Sequence, residues 1–141
     1  MTSVSHLALL FKQACLAEIE ALKPGNVHIF ADGHGMTVQD FIRSAEVASP
    51  AMARRGAAVG KRIMDAVHAT WDTVGCNTNL GILLLSAPLL KAAEAAGEGI
   101  LQSALDRVLA SLNIEDAQLA FVAIARASPA GLGQSARGDV H

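Results

Sequence analysis

The sequence predicts an all-α fold, a compact bundle of about six helices around a central apolar helix, Leu80 to Ala95. Three observations carry that expectation. Apolar residues recur at spacings of three and four over several long stretches, which is the period of a helix. No run of alternating β-branched residues rivals those stretches. Aromatics are only 4% of a chain that is 52% hydrophobic, and there is no Tyr. The core must then be built from Leu, Ile, Val, Ala and Met, which suits close helix packing.

The first helix is expected from about Ser5 to Leu22, stopping where Lys23-Pro24-Gly25 breaks it. It is apolar on nearly every side, the mark of a buried helix. Lys12, Gln13 and Glu20 share one narrow polar face, and Glu18 does not. Two residues of helix turn the chain by about 200°, so Glu18 falls on the stripe of Phe11, Ala14, Cys15 and Leu22. A carboxylate on that stripe must be paired with a buried arginine, ligate a metal or face a cleft.

The stretch Asn26 to Met36 has no period and reads as a loop. Thr37-Val38-Gln39-Asp40 is a capping box, so a helix starts there. It is expected to pause near Ser49-Pro50 and to resume through Val59, Ile63 and Val67 to about Trp71. Arg54, Arg55, Lys61 and Arg62 read as a solvated face of that segment, and Met36, Met52 and Met64 as core fillers. His68 and Trp71, three residues apart, should pack together at the helix end.

A break over Asp72 to Gly75 precedes the most hydrophobic helix, which Asn77-Thr78-Asn79 caps. Its run from Leu80 to Leu90 contains Gly81 and Pro88 and stops at Lys91, short of the ~20 residues that a membrane span needs. Gly97 and Gly99 end it. Ile100, Leu101, Ala104, Leu105, Val108, Leu109 and Leu112 mark an amphipathic helix, and Asn113-Ile114-Glu115-Asp116 starts a last one reaching Ala127. The glycine-rich tail from Ala130 to His141 closes nothing. The 141 residues are therefore expected to be one helical domain, the N-terminal part of a longer one.

Charge and cysteines narrow the function. Lys plus Arg is 11 against 13 for Asp plus Glu, a net charge of −2, which excludes a general nucleic-acid binder. Cys15 and Cys76 form no disulfide framework and no CxxC pair, and read as small buried hydrophobes in a reducing compartment. The opening residues lack the basic region and cleavage site of a signal peptide, so a cytoplasmic location is expected.

Chemistry could sit on three polar islands. The first joins Glu18 to Lys23-Pro24-Gly25-Asn26-Val27-His28. There backbone N–H groups and a lysine can approach a phosphate, with Glu18 one turn behind to hold a metal or a hydroxyl. An ordinary proline–glycine stop explains the same residues. The second, His28, Asp32 and His34, offers metal-ligating types at a spacing that matches no zinc signature; Mg²⁺ held by carboxylate and phosphate suits it better. The third is Gly75-Cys76-Asn77-Thr78-Asn79-Leu80-Gly81. Three amide or hydroxyl side chains crowd a helix N-terminus, where an anion would be stabilised, although capping alone also accounts for them.

The stretch Ala14 to His28, with Glu18 and then Lys23-Pro24-Gly25-Asn26-Val27, resembles the "E…KPGxV" opening of the triphosphoribosyl-dephospho-CoA synthases. Asn77-Thr78-Asn79-Leu80-Gly81 resembles their "NTxxG" helix start, and Ala130-Gly131-Leu132-Gly133 their later "GGLG" segment. The three motifs stand in the family's order. Where lyase-linked members carry a His-Lys pair, this chain has Asn79-Leu80, and Asp32-Gly33-His34-Gly35-Met36 is only loosely similar to their "GAHxDM" loop. In this it is closer to the branch found in archaea and methylotrophic bacteria.

The resemblance implies an all-α enzyme that moves the triphosphoribosyl group of ATP onto the ribose of a dephospho-CoA-like acceptor and releases adenine. It places Lys23, Gly25 and Asn26 along the triphosphate, and Asn77, Thr78, Asn79 and Gly81 at phosphate or ribose. Gly131 and Gly133 would also line the substrate. Glu18, with Asp32 or His34, would hold Mg²⁺ or orient the attacking hydroxyl, and His28 or His34 would serve the departing adenine. Two other classes fit the same residues: a non-catalytic helical module that binds a nucleotide or a partner helix, and a metal-dependent hydrolase of nucleotide ribosyl bonds.

Overall fold

Ser3 opens the first helix: its hydroxyl accepts the N–H of His6 at 3.2 Å, satisfying one of the donors that a helix start leaves over. The computed structural model describes residues 3–22 and 36–127. Among them the fold is carried by six helices: α1 (Val4–Glu20), α2 (Val38–Met52), α3 (Val59–Val74), α4 (Leu80–Ala96), α5 (Leu101–Ser111) and α6 (Ile114–Ala127). The all-α expectation holds. The segment Asn26 to Met36, read as a loop, lies outside the described residues except for Met36.

The capping box forms as its residues require: Thr37 Oγ1 accepts the Asp40 N–H at 3.2 Å, and Asp40 Oδ2 accepts the Thr37 N–H at 2.9 Å. The helix then runs past the expected pause. Pro50 lies inside α2, and the chain turns only after Met52. Proline removes one i→i−4 bond, but Ser49, Ala51 and Met52 are buried there and packing carries the helix across the gap. Similarly, α3 continues through Asp72, where a break was expected, and ends at Gly75 in the left-handed conformation (φ 68°). The α1 helix begins and ends within two residues of its expected limits.

The core is aliphatic, with Leu7, Phe11, Met52, Ile63, Val67 and Leu83 among its members. Each such side chain contributes roughly 1.5–3 kcal/mol by leaving water. In this core α3 packs most extensively, on α2 and α6, while α4 touches each of the other five helices. The central position expected for α4 is borne out, though its surface is not covered all round: Leu85 is 73% exposed. The α3 and α6 helices approach closely because Gly60 has no side chain. A Cβ there would lie 2.6 Å from the backbone oxygen of Asp116. Asp116 Oδ1 instead accepts the Gly60 N–H at 2.8 Å, and the same residue exchanges capping bonds with Asn113 at the start of α6.

One expectation is corrected. Arg62, read as part of a solvated face, is fully buried at 0% exposure. Its guanidinium donates to Glu94 on α4, to the Met52 carbonyl at 2.8 Å and to the Ala57 carbonyl at 3.0 Å. Arg54, Arg55 and Lys61 are exposed as expected. The position of Arg62 on the Ile63–Ala66 side of α3 turns it inward, and a buried cation is tolerated only where every N–H finds an acceptor.

No single helix among the described residues is long and apolar enough to cross a membrane, and α4 and α5 meet at 118°.

Candidate active site

The N-terminus of α4 is the best-defined of the three islands. Asn77 Oδ1 accepts the N–H of Leu80, the first helical residue, at 3.1 Å. Asn79 occupies the N-cap position itself, yet its side chain makes no bond to the helix's own N–H groups. It turns away, and Nδ2 donates to Thr70 Oγ1 on α3 at 3.0 Å. Thr78 also turns inward. It is 8% exposed, and its hydroxyl donates to Ser44 Oγ on α2 at 2.6 Å, which donates in turn to the Asp40 carbonyl at 2.6 Å.

The three polar residues thus divide the work. Asn77 caps; Thr78 and Asn79 bind the turn to two neighbouring helices. The sequence reading saw three candidate ligand groups and missed Ser44 and Thr70, the buried partners that hold two of them. Their signal was present, since each is a hydroxyl on an otherwise apolar stripe: Ser44 with Ala45 and Ala48, Thr70 with Ala66 and Val67. A buried hydroxyl requires a partner.

Gly81 lies one residue into α4, is exposed, and has open space where a Cβ would stand. Packing does not demand a glycine there. The neighbouring Cys76 thiol has a raised pKa, first from burial and then from the charge of Asp40, so the starts of α2 and α4 lie within electrostatic reach of each other.

Glu18 is half-buried on α1. Burial, followed by the charge of Glu18, pushes the Cys15 thiol up to about 12. The one fully buried arginine among the described residues, Arg62, has its donors engaged by Glu94, Met52 and Ala57, so it is not Glu18's partner. Among the described residues no three His, Cys, Asp or Glu groups gather to hold a metal. Lys23, Gly25, Asn26, His28, Asp32 and His34, together with Gly131 and Gly133, lie outside the described residues.

The helix that leads into the glycine-rich segment ends near the same corner of the bundle. Arg126, in the last turn of α6, stacks its guanidinium over Trp71 at 5.3 Å and faces Asp72 at 3.8 Å. The Trp71 ring thus has a partner from another helix, Arg126. The Trp71 carbonyl accepts the Gly75 N–H at 2.8 Å, and from Gly75 the chain turns toward Asn77. The last turn of α6 therefore lies beside the turn that leads into α4.

No curated protein and no solved structure matches this chain significantly. The family model of CitG, described as ATP:dephospho-CoA triphosphoribosyl transferase, matches residues 4–141. The chain belongs to the CitG family and is a transferase.

Proposed function

We propose that this protein transfers the triphosphoribosyl group of ATP to a hydroxyl of a dephospho-CoA-like acceptor and releases adenine. The family match over residues 4–141 carries this reading. An acceptor hydroxyl oxygen attacks the ribose anomeric carbon of ATP while the bond from that carbon to adenine breaks. The bonding pair leaves with adenine, which takes up a proton, and the hydroxyl proton passes to a base. Positive charge builds on the ribose between the two events, and a nearby carboxylate stabilises it.

In this reading Glu18 orients or deprotonates the attacking hydroxyl, and His28 or His34 protonates adenine. Lys23, Gly25 and Asn26 serve the triphosphate, and Gly131 and Gly133 are further substrate-binding residues. Asn77 and the backbone at Gly81 meet phosphate or ribose at the positive end of α4, and Thr78 and Asn79, tied to the neighbouring helices, support them from within. Mg²⁺ at phosphate-transferring sites is usually held by one or two carboxylates and the substrate's own phosphates, and Glu18 with Asp32 would supply that donor type.

The test is direct. Purified protein is mixed with ATP, Mg²⁺ and dephospho-CoA, and adenine is followed by chromatography. Adenine is expected in equal amount to a triphosphoribosylated product, and Lys23→Ala should abolish it without changing thermal unfolding. Adenine without any modified acceptor would instead identify a hydrolase. Thermal stabilisation by ATP with no product at all would identify a binding module.

A further inference from the structure

The cap of α4 has an unusual construction. Asn at an N-cap ordinarily turns its side-chain oxygen back onto the helix's second or third N–H, closing the helix end. Asn79 does not, because Thr70 holds its amide at 3.0 Å. One residue earlier, Thr78 is drawn into the core by Ser44 at 2.6 Å, and Ser44 is fixed in turn by the Asp40 carbonyl. Two independent tethers, one from α2 and one from α3, therefore keep the chain's own polar side chains off the N–H groups that follow Leu80. Beside those groups stands Gly81, with open space on its Cβ side.

We propose that Ser44 and Thr70 are positioning residues of the transfer reaction. By holding Thr78 and Asn79 they leave α4 capped at Leu80 alone, by Asn77, and keep the N–H groups that follow Leu80 available to the triphosphate. This inference rests on the transferase reading above and extends it to two residues that touch no substrate. The triphosphate is held alike before and during the transfer, so loosening its seat weakens binding without slowing the chemical step.

The physical consequence separates positioning from mere structure. Without the Thr70 hydroxyl, Asn79 is released to cap α4 in the ordinary way, and the helix keeps its stability while the seat closes. Thr70→Val should raise KM for ATP about tenfold and leave kcat within about twofold, a factor of ten being 1.4 kcal/mol in binding. Thr70→Ser, which retains the hydroxyl, should behave as the wild type. Ser44→Ala should shift KM in the same direction, and Thr78→Val should add nothing to it in the double variant.

Inorganic tripolyphosphate, titrated calorimetrically at a temperature where circular dichroism shows each protein folded, reads binding directly. Folded Thr70→Val and Ser44→Ala proteins that bind tripolyphosphate as tightly as the wild type overturn this proposal alone. A wild type that binds no tripolyphosphate overturns the seat at α4 and this inference with it, while adenine release continues to judge the transfer reaction separately.

Discussion

Arg62 and Glu94 form an ion pair across the interface of α3 and α4, with the guanidinium wholly inside the protein. The pair is the centre of a larger staple. Glu94 Oε1 accepts the N–H of Gly56 at 2.7 Å, and Arg62 also donates to the carbonyls of Met52 and Ala57. One side chain from each helix thereby fixes the turn between α2 and α3 against the far end of α4. Three of its four bonds satisfy backbone groups of that turn, the Gly56 N–H and the Met52 and Ala57 carbonyls.

Replacing Arg62 with Met should destabilise the protein by about 3 kcal/mol, because it strands Glu94 and two carbonyls in a desolvated place. The lower end of the range applies since Glu94 keeps 19% of its side-chain surface. Urea unfolding at neutral pH checks this. Combining the change with Glu94→Leu should recover a large part of the loss, since removing both charges removes the uncompensated one.

The same pair predicts a pH dependence. Burial acts to raise the pKa of Glu94, but the Gly56 N–H, the hydrogen bond and charge of Arg62 and the charge of Lys91 outweigh it and hold the group below its ordinary value of 4.5. A carboxyl lowered on folding contributes stability that is present above its unfolded pKa and lost as pH falls through its folded one. Urea midpoints of the wild type and Glu94→Gln should therefore differ at neutral pH and converge in acid below 4.5. Parallel curves down to the lowest pH would refute the assignment.

Gly60→Ala tests the approach of α3 and α6. The added Cβ would meet Asp116 backbone atoms at 2.6 and 2.7 Å, and neither can swing aside as a side chain tip would. Overpacking of this kind costs about 1–3 kcal/mol, seen as a lower Tm.

Gly81→Ala should have the opposite effect on stability. Its Cβ meets nothing within 4 Å, and alanine is favoured over glycine in a helix by up to about 1 kcal/mol. A raised Tm with a raised KM for ATP is expected, because the methyl group would occupy the space through which phosphate reaches the backbone. A raised Tm with unchanged ATP kinetics would remove Gly81 from the substrate site.

Much of this protein was determined by its sequence alone. Apolar residues at helical spacing made the helices, and local groups set their starts: Thr37 with Asp40, Asn77 with Leu80, Asn113 with Asp116. Three motifs in order identified the family. Only the tertiary structure decided that Arg62 points inward to Glu94, that α2 passes Pro50, and that Thr78 and Asn79 are tied to Ser44 and Thr70. The physical reason is common to all three. Caps and periods are settled within a few residues of chain, whereas the partner of a buried polar group, or the packing that outweighs a lost hydrogen bond, comes from a helix far away in sequence.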